Sequence, residues 1–117
     1  MKSKVDISSL PKINKPGRIC ILKSKWHIQH VQSMAKACRK VLEDAGYIYI
    51  DEYTLPGCLE IPLAARDLLA QEALSNDSVG IDAIVCFGII VKGDTLHFEM
   101  ISEESMRGLG CVMHDFR

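Results

Sequence analysis

The chain has 117 residues and a net charge of -1, so it holds one domain of ordinary size and lacks the basic excess of a nucleic-acid or acidic-membrane binder. Apolar residues make up 48% and charged residues 25%, which excludes disordered and collagen-like chains. No apolar run approaches the roughly 18 residues of a membrane span, and the polar start Met1-Lys2-Ser3-Lys4 lacks the apolar stretch of a secretory signal, so the expected location is the cytoplasm.

Residues 1–17 read as an N-terminal arm: Pro11 and Pro16 lie among polar residues, and only Val5-Asp6-Ile7 has strand character. The domain proper is expected over residues 18–117. It opens on Arg18-Ile19-Cys20-Ile21-Leu22, an apolar run suited to a strand buried on both faces, followed by a polar stop at Lys23-Ser24-Lys25. Ile28, Val31, Met34, Ala35, Cys38, Val41, Leu42 and Ala45 then recur at three- and four-residue steps, the stripe of an amphipathic helix, with Gly46 at its stop.

Residues 47–53 alternate as a second strand, ending at Leu55-Pro56-Gly57. Glu60-Ile61-Pro62 opens a second helix, with the proline tolerated in the first turn. After a polar loop at residues 75–78, residues 83–91 form the most apolar run and are expected to be the central strand. A turn at residues 92–95 leads to a third helix over about 97–114, with Phe98, Ile101, Leu109, Val112 and Met113 facing inward. Strand-helix order repeated in this way predicts an α/β fold, a parallel sheet with helices on both faces. Cys20, Cys38, Cys58, Cys86 and Cys111 are odd in number and show no C-x-x-C spacing, which predicts reduced, packed thiols.

In parallel sheets ligands gather at the carboxyl ends of the strands, here residues 23–27, 55–61 and 92–97. Gly93 allows a turn close to a ligand, Asp94 and Thr95 are positioned to cap the third helix, and free N–H groups at that helix start attract a phosphate. His97 in the first turn is a candidate proton carrier, or simply a solvated histidine. Glu60 reads equally as an acceptor for ligand hydroxyls and as a helix N-terminal acid. Trp26, the one tryptophan, suits either core packing or stacking on a heterocycle. His27 and His30 have no third ligand spaced to complete a metal site. Lys92 is a solvated lysine or a Schiff-base former. Phosphate-loop, dinucleotide, H-E-x-x-H and G-x-S-x-G motifs are absent.

Two stretches carry a resemblance. Leu55-Pro56-Gly57-Cys58-Leu59-Glu60-Ile61-Pro62 and Gly88-Ile89-Ile90-Val91-Lys92-Gly93-Asp94-Thr95-Leu96-His97-Phe98-Glu99, with Ser102-Glu103 and Arg107-Gly108 after them, resemble the paired signatures of the 6,7-dimethyl-8-ribityllumazine synthase family. The likeness runs from about Arg18 to the end. It implies a flavodoxin-like three-layer α/β/α sandwich and a transferase of riboflavin biosynthesis. Such enzymes condense 5-amino-6-(D-ribitylamino)uracil with 3,4-dihydroxy-2-butanone 4-phosphate to give 6,7-dimethyl-8-ribityllumazine, phosphate and water.

The same resemblance implies no metal or organic cofactor, small-molecule substrates as the ligands, and a ring-like homopentamer or higher assembly. By position, His97 matches the catalytic histidine and Trp26 the ring-stacking aromatic. Cys58, Leu59 and Glu60 match the segment that holds the ribityl-bearing substrate, Ile89, Ile90 and Val91 the strand end that reads the pyrimidine, and Asp94 and Thr95 the phosphate-substrate loop. Family members continue into a further strand and two helices, which supply a phosphate-binding arginine and an aromatic residue for the neighbouring site. The expectation is therefore a C-terminally incomplete domain. The alternative reading is a catalytically impaired remnant that at most assembles or binds; a generic phosphate- or flavin-binding module of the same fold accounts for the architecture but not for the paired signatures.

Overall fold

The structure, a computed structural model, describes residues 17–75, 79–94 and 96–116. In chain order it contains β1 (Arg18–Ser24), α1 (Ile28–Asp44), β2 (Tyr49–Leu55), a 3-10 turn (Cys58–Glu60), α2 (Ile61–Leu74), β3 (Ile81–Phe87) and α3 (His97–Asp115). The strands are parallel in the order β2-β1-β3. Helices cover both faces, giving the three-layer α/β/α arrangement expected from the sequence.

Alternation along β1 feeds two cores. Ile19 and Ile21 point to the α1 side, where they meet Ala35 and Tyr47, with Cys38, Leu42, Ile50, Val85 and Phe87 packed around them. Leu22 points the other way and meets Ile61 and Ala65 of α2 and Val112 of α3. Each fully buried aliphatic side chain of this kind contributes about 1.5–3 kcal/mol. Burial raises the pKa of the Cys20 thiol, helped by the nearby Asp51 carboxylate, and burial alone raises that of Cys86. Both therefore stay protonated as packing groups, while Cys111 is exposed.

Helix α1 ends as its glycine predicts. Gly46 has φ 102°, a left-handed conformation, and the N–H groups of Gly46 and Tyr47 donate to the carbonyls of Glu43 and Leu42 at 3.0 Å each. This paired closure satisfies two terminal carbonyls and turns Tyr47 into the core. Tyr47 thus belongs to the helix closure, and β2 begins two residues later than the alternation predicts.

Other expectations need correction. The central strand is β1, not the 83–91 run: β1 is buried along its length, whereas β3 exposes Asp82 and Ala83 and pairs only with β1 among the described residues. Length of an apolar run measures hydrophobicity, not neighbours. The strand also stops at Phe87, and residues 89–91 run outside the sheet. Met34 and Val41 of α1 are exposed, because one helix on a three-stranded sheet buries only the Val31, Ala35, Cys38 and Leu42 line, and Met113 of α3 is 75% exposed although its neighbour Val112 is buried against Leu22 and α2. Asp94 is not the α3 N-cap; Leu96 holds that position with no side-chain hydrogen bond. Val5-Asp6-Ile7 lies outside the described residues.

Lys23 and Ser24, expected as a polar stop, are buried last residues of β1. On the α1 face, Lys23 Nζ donates to Glu52 Oε2 at 2.9 Å and to Gln32 Oε1 at 2.8 Å, and Arg39 Nε donates to Glu52 Oε1 at 2.8 Å. A buried ammonium is tolerated only with such partners. On the other face, α2 and α3 come close where Gly108 meets Pro62: a methyl there would stand 2.8 Å from the proline Cβ. Arg66 links the same helices through Asp115 at 2.7 Å and lies over the Phe116 ring.

Candidate functional site

The carboxyl ends of the strands open into a cleft of about 450 Å³. Its walls come from three separated segments: Trp26 and His27 after β1, Pro56, Gly57, Cys58, Leu59 and Glu60 after β2, and Ile89, Ile90 and Val91 after β3, with His97 and Ile101 from α3. The lining is largely apolar with a few convergent polar groups, the usual make-up of a small-molecule site.

Each wall has a local cause. The end of β1 is tied to β2 by the Lys25 N–H, which donates to the Leu55 carbonyl at 2.8 Å. His27 then takes φ 58°, ψ 42°, the left-handed region, and starts α1 without a side-chain cap. Its carbonyl accepts the N–H groups of His30 and Val31 at 3.0 and 3.1 Å. The turn throws Trp26 outward, 70% exposed, which rules out the core-packing reading. A second cavity of about 690 Å³, lined among others by Lys25, Gln29 and His30, shares Trp26, His27 and Pro56 with the cleft, so Trp26 borders both.

In the second wall Gly57 sits close to both reactive neighbours: a methyl built on it would stand 3.3 Å from Glu60 Oε2 and 3.7 Å from Trp26 Cδ1. The Glu60 carboxylate and the indole edge therefore flank the same point of backbone. In the third wall the chain crosses the 3-10 turn at Gly88, where an added Cβ would lie 2.5 Å from Cys58 Sγ, 3.5 Å from Ser24 Oγ and 3.7 Å from Ile61 Cδ1. Gly88→Ala is expected to cost about 1–3 kcal/mol through overpacking of this crossing. Gly93→Ala, with nothing within 4 Å of its added Cβ, is expected to stay within about 0.5 kcal/mol. Denaturant midpoints of the two variants check the contrast, and equal losses would show that the crossing is soft.

Of the residues singled out from the sequence, the cleft brings together Trp26, Cys58, Leu59, Glu60, Ile89, Ile90, Val91 and His97. Asp94 is exposed and does not line it, and Thr95 lies outside the described residues. The reading of the sequence missed His27 and Ile101 as wall residues. His27 offered one cue, since histidine is among the side chains that tolerate left-handed backbone. Among the described residues no cluster of three histidine, cysteine, aspartate or glutamate side chains is arranged to hold a metal ion.

A parallel α/β sandwich whose strand ends open into an apolar cleft with a carboxylate, an imidazole and an exposed indole belongs to the class of three-layer α/β proteins with a cleft at the carboxyl ends of the sheet. Within that class the family can be stated. The family model of 6,7-dimethyl-8-ribityllumazine synthase matches residues 16–117, and the chain belongs to this family. It is similar to the 6,7-dimethyl-8-ribityllumazine synthase of Xanthobacter autotrophicus, with 36% identity over 93 residues, 80% of this chain and 54% of that one. The enzyme of the same name from Agrobacterium fabrum is 33% identical over 97 residues, covering 83% and 63% of the two chains. That of Neisseria meningitidis is 33% identical over 101 residues, covering 85% and 60%. The chain thus spans little more than half the length of the first of these relatives.

Proposed function

We propose that the chain performs lumazine synthase chemistry, condensing 5-amino-6-(D-ribitylamino)uracil with 3,4-dihydroxy-2-butanone 4-phosphate to 6,7-dimethyl-8-ribityllumazine. The observation that carries the reading is the meeting of Trp26, Glu60 and His97, from three separate strand ends, in one cleft of about 450 Å³. Trp26 stacks on the pyrimidine, the backbone of Ile89, Ile90 and Val91 reads its edge, and Cys58, Leu59 and Glu60 hold the ribityl chain, with Glu60 accepting hydroxyl hydrogen bonds. Asp94 and Thr95 lie on the loop assigned to the phosphate-bearing substrate. The amine of one substrate forms an imine with the ketone of the other with loss of water, phosphate leaves, and the ring closes with loss of a second water. Holding the two reactants together supplies much of the acceleration, and His97 moves protons. No metal or organic cofactor enters these steps.

The domain doing this is residues 18–117, preceded by an arm of residues 1–17. We place it in the cytoplasm, as a homopentamer or higher assembly. Exposed Leu59 and Val91 on the cleft and exposed Leu96 and Met100 at the start of α3 support self-association, since apolar side chains grouped beside a site favour a covering partner. The test is direct: the folded chain mixed with both substrates is expected to release phosphate and form the fluorescent lumazine. Light scattering is expected to give a pentamer or a multiple of it. Folded protein that binds the lumazine but makes none would leave a binding or assembly protein, and protein that does neither would reject the reading.

A further inference from the structure

The indole of Trp26 is 70% exposed, so packing of its own side chain does little to fix it. Its place depends on the turn that carries it, and that turn includes His27 at φ 58°. Left-handed backbone at a non-glycine residue costs about 1 kcal/mol or more and persists only when the flanking structure holds it. On the sheet side the Lys25 N–H reaches the Leu55 carbonyl, and Ser24 Oγ donates to the Trp26 carbonyl at 3.5 Å, a long contact. One bond closes the turn from side to side. Lys23 Nζ, on the strand before it, donates to Gln32 Oε1, on the helix after it, at 2.8 Å.

The chemistry of Lys23 makes this closure firm. Its side chain is only 8% exposed, and Glu52 Oε2 at 2.9 Å neutralises the ammonium. Glu52 is itself held by Arg39 Nε at 2.8 Å, and Arg39 NH2 also reaches the Ile50 carbonyl at 3.3 Å. The ammonium is therefore anchored to β2 and to α1 at once. Glu52, itself held by Arg39, keeps the ammonium in place, and from there it bonds Gln32 on the far side of the turn.

We infer that Lys23 is a positioning residue of the cleft: by bonding Gln32 across the turn of Trp26 and His27, and Glu52 beneath it, it sets where the indole stands. This rests on the proposed use of Trp26 as the ring-stacking wall. Lys23 touches no ligand; it acts through the indole.

The chain has one tryptophan, so the indole reports on itself. Two variants open the closure in the 117-residue chain. Lys23→Met keeps the buried stem and leaves Glu52 paired with Arg39. Gln32→Ala removes the acceptor from an exposed position, where the fold is least sensitive. Arg66→Met, which cuts the Arg66–Asp115 pair on the opposite face, is the control for general loosening. Tryptophan fluorescence anisotropy without ligand is expected to fall in both turn variants and to match wild type in the control. Affinity for added 6,7-dimethyl-8-ribityllumazine, read by its own fluorescence, is expected to drop about tenfold in Lys23→Met, the effect of one charge-assisted hydrogen bond.

Unchanged anisotropy in folded Lys23→Met or Gln32→Ala overturns the inference, as does an equal fall in Arg66→Met. If Lys23→Met does not fold, Gln32→Ala decides alone. Should wild type fail to bind the lumazine, the stacking reading fails while the ligand-free anisotropy still decides the positioning role.

Discussion

Replacing His97 by alanine is expected to slow lumazine formation by two to four orders of magnitude, the usual contribution of a positioned general acid-base group. The imidazole lines the cleft from the first turn of α3, in the same cleft as Trp26 and Glu60. Unfolding midpoints of wild type and His97→Ala, measured beside the rates, separate a loss of chemistry from a loss of folding. Binding of 6,7-dimethyl-8-ribityllumazine is expected to survive, since the indole and the Cys58–Glu60 turn remain. Phosphate release under saturating substrates gives kcat, and leaves the loss assigned to chemistry. Met106→Ala, exposed on the same helix and away from the cleft, is the control that should keep its rate. A loss below tenfold in His97→Ala, with folding intact, would sink the proton-transfer role.

The fold was largely legible because its signals are local. Helix α1 could be bounded from a stripe and one glycine, and Gly46 does take the left-handed conformation that ends it. The candidate site was legible through sequence adjacency to strand ends: Trp26, Glu60 and His97 each follow a strand, and a parallel sheet brings such positions together. What failed was non-local. Strand order depends on which strand finds two partners, and hydrophobicity pointed to the 83–91 run while pairing put β1 in the middle. Lys23 looked like a boundary because lysine is rarely buried; only the distant Glu52 and Gln32 make burial possible, and no spacing in the chain announces them. The exposed Met113 shows the same limit, for a helical stripe gives direction but not the extent of the surface it meets.

Glu52 carries the second large effect. Glu52→Ala is expected to destabilise the fold by about 3 kcal/mol, because it leaves the Lys23 ammonium buried without its counter-charge. Arg39, more exposed, can turn to water; Lys23, 8% exposed, cannot. The two hydrogen bonds from Lys23 and Arg39 hold the Glu52 carboxyl below its ordinary value of 4.5, against the opposing effect of burial. The groups facing it are the two cations and the Cys38 thiol, whose own pKa is raised by burial and then by Glu52. A depressed carboxylate contributes stability that is complete above the unfolded value and is lost as pH falls through the folded one. Wild type is therefore expected to lose stability as pH falls from about 4.5 downward, and Glu52→Gln to lose distinctly less over that interval. The half-exposed pair Arg18–Asp51, also at 2.9 Å, is the comparison: Asp51→Asn should cost about 1 kcal/mol or less. Urea midpoints at pH 7 and across the acid range measure both effects. Parallel acid slopes in wild type and Glu52→Gln would place the titrating carboxylate elsewhere. Pairing Glu52→Met with Lys23→Met should then recover most of the pH 7 loss, since the buried ammonium is gone and the half-exposed Arg39 keeps Glu43 and water as partners.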